Sequence, residues 1–207
     1  MNKMFALLVF AFSVSASADV VIDAPNPAST FLQDAVTKMD GVIAGKGDAA
    51  SKAKAMCAIF KNTASSGYIG GIWLGNYRTL ASDQAGVKAF VAMIPSLVMT
   101  KAMPNLSSAT AGSIIVSPQA TERKPGLWAV AIKATSNGKT YNATAVVRAV
   151  NGTMQLIDGE YLGFSGVNYF KSDYQKLFDD AARTNASTPV SQVVNDLMSD
   201  KDYVNCP

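Results

Sequence analysis

Histidine is absent from this sequence. Its absence removes the Ser-His-Asp and Cys-His catalytic arrangements and every histidine-ligated metal site. Cysteine occurs only twice, at Cys57 and Cys206, which is too few for a metal centre. Charge is sparse as well: Asp, Glu, Lys and Arg make up 16% of the 207 residues, and the formal net charge is +3. So weak a charge supplies neither a nucleic-acid footprint nor a polybasic membrane patch. No phosphate-binding loop is present, and Gly163, Ser165 and Gly166 lack the flanks of a nucleophile elbow. After Asp19 no stretch reads as a transmembrane helix, which needs roughly 20 apolar residues.

What is present begins with a leader. Met1-Asn2-Lys3 is a positive n-region, Met4 to Val14 an apolar h-region, and Ser15-Ala16-Ser17-Ala18 a small-x-small cleavage site. Residues 1–18 are therefore expected to be a signal peptide cut between Ala18 and Asp19, leaving one domain over 19–207; the alternative is a buried N-terminal helix. Export places the mature chain in a periplasm. An even cysteine count in an exported chain favours a Cys57–Cys206 disulfide, the alternative being two buried, unpaired thiols. The apolar content of 49% means that much greasy surface must either pack on itself or line a ligand site.

Helical periodicity dominates the first half of the chain. Phe31, Leu32, Ala35, Val36, Met39, Val42 and Ile43 form one stripe after a candidate N-cap at Ser29, with Gly45 and Gly47 as a stop. A second helix starts near Asp48 and carries Ala53, Met56, Cys57 and Phe60, and the glycine-rich apolar run Ser65 to Gly75 reads as a short irregular helix. Val87, Phe90, Val91, Ile94, Leu97 and Val98 make a further stripe, capped by Ser82 or Asp83 and expected to kink at Pro95. From Gly112 the period falls to two. Ser113 to Pro118, Leu127 to Thr135, Lys139 to Val150 and Thr153 to Tyr161 read as about four strands of an antiparallel meander, with turn signals at Ser136-Asn137-Gly138-Lys139 and Asn151-Gly152. Two helices follow, one carrying Phe170, Tyr174, Leu177, Phe178 and Ala181, the other Val190, Val193, Val194 and Leu197 behind Thr188 and Pro189. Helices, then a sheet, then helices make an α+β domain.

The strands carry small residues: Leu127, Ala129 and Ala131 on one face, Tyr141, Ala143, Ala145, Val147 and Ala149 on another. Small residues on an inward face leave space for helices or for a ligand. The helices offer Ile69, Ile72, Trp73, Phe90, Ile94, Leu97, Val98 and Met99 opposite them, and Leu156, Tyr161 and Phe164 complete the candidate lining of an apolar cavity. Asp158 and Glu160 share a strand face, a spacing that lets two carboxylates divide acid and base roles, though capping a turn is the commoner use. No cofactor is called for, and nothing points to catalysis.

The run from Met154 to Tyr174 resembles the signature of the MlaC, or toluene-tolerance, family of periplasmic phospholipid-binding proteins. Asp158 matches the family's strand-end aspartate, Gly163 and Ser165 its glycine-x-serine turn, Phe170-Lys171 its aromatic-basic pair and Tyr174 its last aromatic. Upstream, Leu74-Gly75, Tyr77-Arg78 and Gln84 are similar to a second family pattern, and the likeness runs from about Leu74 to Leu197. Met154, Leu162 and Ala102 stand where the family carries tryptophan, glutamate and tyrosine. The resemblance implies a curved antiparallel sheet wrapped by N- and C-terminal helices, cystatin-like or nuclear-transport-factor-like, with lipid tails inside. It implies a monomeric carrier whose cargo is phospholipid; the alternatives are an exported non-enzymatic interaction domain whose helices fill the sheet, and a small-molecule hydrolase or isomerase using Asp158 or Glu160. The carrier's implied partners are an inner-membrane ABC-type transporter complex and an outer-membrane lipoprotein/porin complex.

Overall fold

The computed structural model describes residues 26–106, 110–136 and 138–206, with backbone alone for 103–106. The leader, its cleavage site and Asn137 of the first turn signal lie outside the described residues. The elements are α1 (Pro27–Ala44), α2 (Ala49–Thr63), α3 (Ser66–Leu74), two 3₁₀ turns, α4 (Gln84–Leu106), strands β1 (Ile114–Lys124), β2 (Leu127–Ser136), β3 (Lys139–Val150), β4 (Thr153–Tyr161) and β5 (Phe164–Ser165), then α5 (Gly166–Thr184) and α6 (Pro189–Met198). The strands form one antiparallel meander in the order β1-β2-β3-β4-β5. This is the expected α+β fold, with a two-residue fifth strand added.

Boundaries differ where local chemistry outbids the pattern. The first helix is capped not by Ser29 but by Asn26, whose Oδ1 accepts from the Ala28 amide at 2.9 Å, because Pro27 without an N–H suits the first helical position. Strand β1 does not stop at Pro118. It is an edge strand, and its register shifts between Val116 and Ala120, so the proline sits where no ladder donor is needed. Helix α4 runs unbroken past Pro95. It is also, among the described residues, the one helix long and apolar enough to cross a membrane, but its greasy residues Phe90, Ile94, Leu97 and Met99 are buried in the protein itself.

The pairing register corrects the faces of the sheet. Ala145 lies opposite Val130 and Ala143 opposite Ile132, so even-numbered β2 residues share the inner face with odd-numbered β3 residues. Val130 and Ile132 are buried, whereas Ala131 is exposed and Ala129 half-buried on the other side. The larger side chains bury more apolar area, and a two-residue period then sends Ala129 and Ala131 outward.

The inner face is covered in two parts. Ala28, Leu32 and Val36 of α1 pack on Val116, Val130, Ile132, Ala145 and Val147. A second body joins α3, α4, α5 and α6 around Trp73, Leu74, Phe90, Ile94, Phe178 and Val190. Leu156 of β4 packs against both and marks their seam. A third cluster gathers Met56, Cys57 and Met99, with Val204 and Cys206 of the C-terminal tail. Here Cys57 and Cys206 form a disulfide, with Cα atoms 5.4 Å apart and a sequence separation of 149. By the chain-entropy account such a loop contributes up to about 5 kcal/mol.

One carboxylate organises the second body. Asp83, 2% exposed, accepts from the Val190 amide at 2.7 Å and the Ser191 amide at 2.9 Å, from the Ser191 hydroxyl, and from the Gly86 amide at 3.2 Å. It thus caps α4 and α6 at once, while Thr188, at the N-cap position of α6, makes no side-chain cap bond. The approach is so close that a Cβ on Gly86 would stand 2.5 Å from the Ser191 amide nitrogen. Removing either cap costs about 0.5–2 kcal/mol, so Asp83→Ala is expected to lose about 1–4 kcal/mol in urea denaturation. Asp83→Asn, which keeps one acceptor oxygen, should fall between; an Asp83→Ala midpoint equal to wild type would refute the double cap.

Candidate functional site

The seam holds a cavity of about 120 Å³. Phe60 of α2 and Ala64 close one side, and Ile69 and Trp73 of α3 a second. Leu97, Val98, Lys101 and Ala102 of α4 form a third, Leu156, Asp158 and Gly159 of β4 the floor, and Gly166, Val167, Phe170 and Tyr174 of α5 the last. The spacing explains these choices. Residues 97, 98, 101 and 102 share one helical face, as do 167, 170 and 174. Lys101 is exposed, so the cavity reaches solvent beside it.

Its walls are fastened to one another by hydrogen bonds and ring contacts of the lining residues. Trp73 is 3% exposed, stacks on Tyr174 with centroids 4.6 Å apart, meets Phe170 edge-on at 6.0 Å and donates its indole N–H to the Val167 carbonyl at 2.8 Å. Burial pushes the Tyr174 hydroxyl well above its ordinary pKa, so the ring stays neutral. Asp158 accepts from the Gly159 amide at 2.8 Å and from the Val167 amide at 3.0 Å, while the Ser165 hydroxyl accepts from the Asn168 amide at 3.0 Å; together they cap α5. Burial is the largest cause raising the Asp158 pKa above the usual aspartate value, opposed first by a hydrogen bond from the Ser165 hydroxyl and then by those from the Val167 and Gly159 amides. A Cβ on Gly166 would stand 3.0 Å from the Gly159 carbonyl oxygen, so this close junction is made with glycine. Glu160 is held bidentately by Arg123 at 2.5 and 2.6 Å. Both carboxylates of the candidate acid-base pair therefore make structural bonds.

Of the expected lining residues, Ile69, Trp73, Leu97, Val98 and Leu156 surround the cavity. The others lie elsewhere. Phe90 and Ile94 are wholly buried in the core between helices, and Ile72 packs on the outside of that core. Ala143, Ala145 and Val147 are buried on the inner face, Ala145 and Val147 within the cluster roofed by α1, so there the space over the small residues is filled by protein. Ala129 and Ala131 belong to the outer face. Tyr161 is half-buried at the end of β4, and Phe164 is 72% exposed on β5. Sequence reasoning missed Phe60, Ala64, Lys101, Ala102, Gly159, Gly166 and Val167, and did not count Asp158, Phe170 and Tyr174 among the lining, although the one-turn spacing of Phe60 and Ala64 and the Val167, Phe170, Tyr174 stripe were available.

No protein-family model matches this chain, and no curated protein does. Among solved structures it is similar to the phospholipid-binding protein from Ralstonia solanacearum, determined in complex with a phospholipid, with a TM-score of 0.66 over 83% of this chain and 96% of that one, at 14% identity. The two chains share a fold. The likeness extends over the helices and the sheet alike, since it leaves only a small part of either chain uncovered.

The buried Asp158 yields a pH prediction. Because its folded pKa is raised above the unfolded value, the carboxyl stabilises the fold fully below the unfolded pKa, and that contribution is lost as the pH rises through the folded pKa. Asp158→Asn keeps an acceptor for both amides and removes the charge. It should equal or exceed wild-type stability at neutral pH, the gap closing as the pH falls into the acid range. Asp158→Ala orphans the two amides and should lose about 1–3 kcal/mol at neutral pH. Denaturant midpoints measured across pH check both.

Proposed function

We propose that this chain is an exported phospholipid carrier that encloses acyl chains in the seam cavity and leaves the head group in water. The observation that carries this reading is the cavity itself: aromatic and aliphatic walls, a single exposed cation at the mouth, and an indole N–H and a carboxylate already bonded to the backbone. Such a lining offers nothing to a polar substrate and much to a hydrocarbon chain. The fold is that of a protein solved with a phospholipid, which supports the choice among apolar ligands. The resemblance of Asp158, Gly163, Ser165, Phe170, Lys171 and Tyr174 to the phospholipid-binding signature adds to it, because three of the six line the cavity.

The carrier works in the periplasm after removal of residues 1–18, as a monomer, and moves lipid between an outer-membrane lipoprotein/porin complex and an inner-membrane ABC-type transporter. No cofactor and no catalytic step enter this reading. The cavity of about 120 Å³ compares with the ~150 Å³ that holds a benzene ring and falls below the ~300–1,000 Å³ of ordinary ligand pockets. Taking up a whole acyl chain therefore requires the walls to part.

Protein purified from a bacterial periplasm should yield phospholipid on organic extraction, in roughly equimolar amount. Ala102→Trp places an indole at the cavity wall and should cut the lipid content sharply with little change in the melting temperature of delipidated protein. Ala145→Trp, under α1, is overpacking instead and should cost about 1–3 kcal/mol whether or not lipid is bound. Lipid-free wild-type protein of full stability would sink the carrier reading.

A further inference from the structure

The disulfide lies just behind two walls of the cavity, and the arrangement ties those walls together. On α2, Cys57 is one turn before Phe60, on the same face, so a single stripe runs from the sulfur cluster into the cavity lining. On α4 the cavity takes residues 97, 98, 101 and 102, while Ser96, Met99 and Thr100 serve the opposite side. There the C-terminal tail is pinned: the Cys206 amide donates to the Ser96 hydroxyl at 3.0 Å and the Val204 amide to the Thr100 hydroxyl at 2.9 Å. Ser96 is 2% exposed, and Thr100 donates onward to the Ser96 carbonyl at 2.8 Å, so both pins sit on the helix itself. The path from α2 is thus covalent through Cys57, Cys206 and the tail, and its last link, to the side of α4 opposite the cavity, is this pair of hydrogen bonds.

We infer that Cys57, Cys206, Ser96 and Thr100 act as a latch across α2 and α4, setting how far these walls part and hence how fast an acyl chain leaves and how bulky a chain can enter. The inference rests on the carrier reading. At its other end α2 is already held to the floor, since the Ser65 amide donates to the Leu156 carbonyl at 2.9 Å. Widening the slot on this side thus means swinging the middle of α2 from α4, the movement that the crosslink opposes. A disulfide that served only to restrict the unfolded chain would act on melting alone and leave release from the folded protein unchanged.

The test uses the mature chain loaded with a phosphatidylethanolamine carrying one pyrene-labelled acyl chain. Release into excess phosphatidylcholine vesicles is timed well below the melting temperature of every variant. Cys57→Ala/Cys206→Ala removes the crosslink, and Ser96→Ala/Thr100→Val removes the pins while keeping the disulfide. Both should release label at least about tenfold faster than wild type, since changes in retention are expressed mainly in the off-rate. Both should also bind a branched, phytanoyl-chain phospholipid better relative to a straight-chain one than wild type does, a shift in selectivity that lost global stability would not produce. Wild-type release and selectivity in both folded variants overturn the latch. So does a change confined to the cysteine variant, because α4 would then have no part in it. Should the cysteine variant not fold, the pin variant decides alone. Wild-type protein that takes up no label overturns the carrier reading first, and the latch with it.

Discussion

Three walls of the cavity meet at one residue of α5. The Val167 amide donates to Asp158 on β4, and the Val167 carbonyl accepts from the Trp73 indole on α3. A helix start, a strand end and a neighbouring helix are thereby held in one geometry by groups that would otherwise be buried without partners. The aromatic contacts of Trp73 with Tyr174 and Phe170 then follow, since the ring is already placed. For the Trp73 indole and the Asp158 carboxylate, the polar cost of closing an apolar slot is met in its corners.

The slot itself comes from a mismatch of shapes. One helix cannot roof a twisted four-stranded face, so α1 takes the β1 to β3 side and the remaining helices gather beyond β4. Where two separately packed bodies touch the same residue, Leu156, side chains from five elements converge and close packing is hardest to complete. The opening lies at that place and not over the alanines of β3, where α1 presses directly on the strand.

Much of this was legible in the residues. The helical stripes, the change to a two-residue period and the cysteine pairing are local or compositional signals, and the structure carries all three. The face of β2 was not legible, because Leu127, Ala129 and Ala131 alternate as cleanly as Val130, Ile132 and Ala134, and only the register against β3 separates them. Residues such as Phe90 and Ile94 have the character of ligand contacts, yet lie within the helix core. Whether a greasy side chain faces a neighbour or a void depends on where helices cross, and no periodicity encodes that. Asp83 shows the same limit from the other side: a helix cap is readable, but its second task, capping α6 from more than a hundred residues away, is not.

The sheet is open, and an open sheet has a free border with unpaired backbone groups that can recruit another copy edge to edge. On one side the register of β1 shifts around Pro118, whose carbonyl accepts from the Asn26 amide at 3.2 Å, and the strand ends in Glu122, Arg123 and Lys124. On the other side β5 lasts for two residues before the chain turns into α5. Neither border offers a long, regular template, so each breaks the edge-to-edge pairing that a free strand invites.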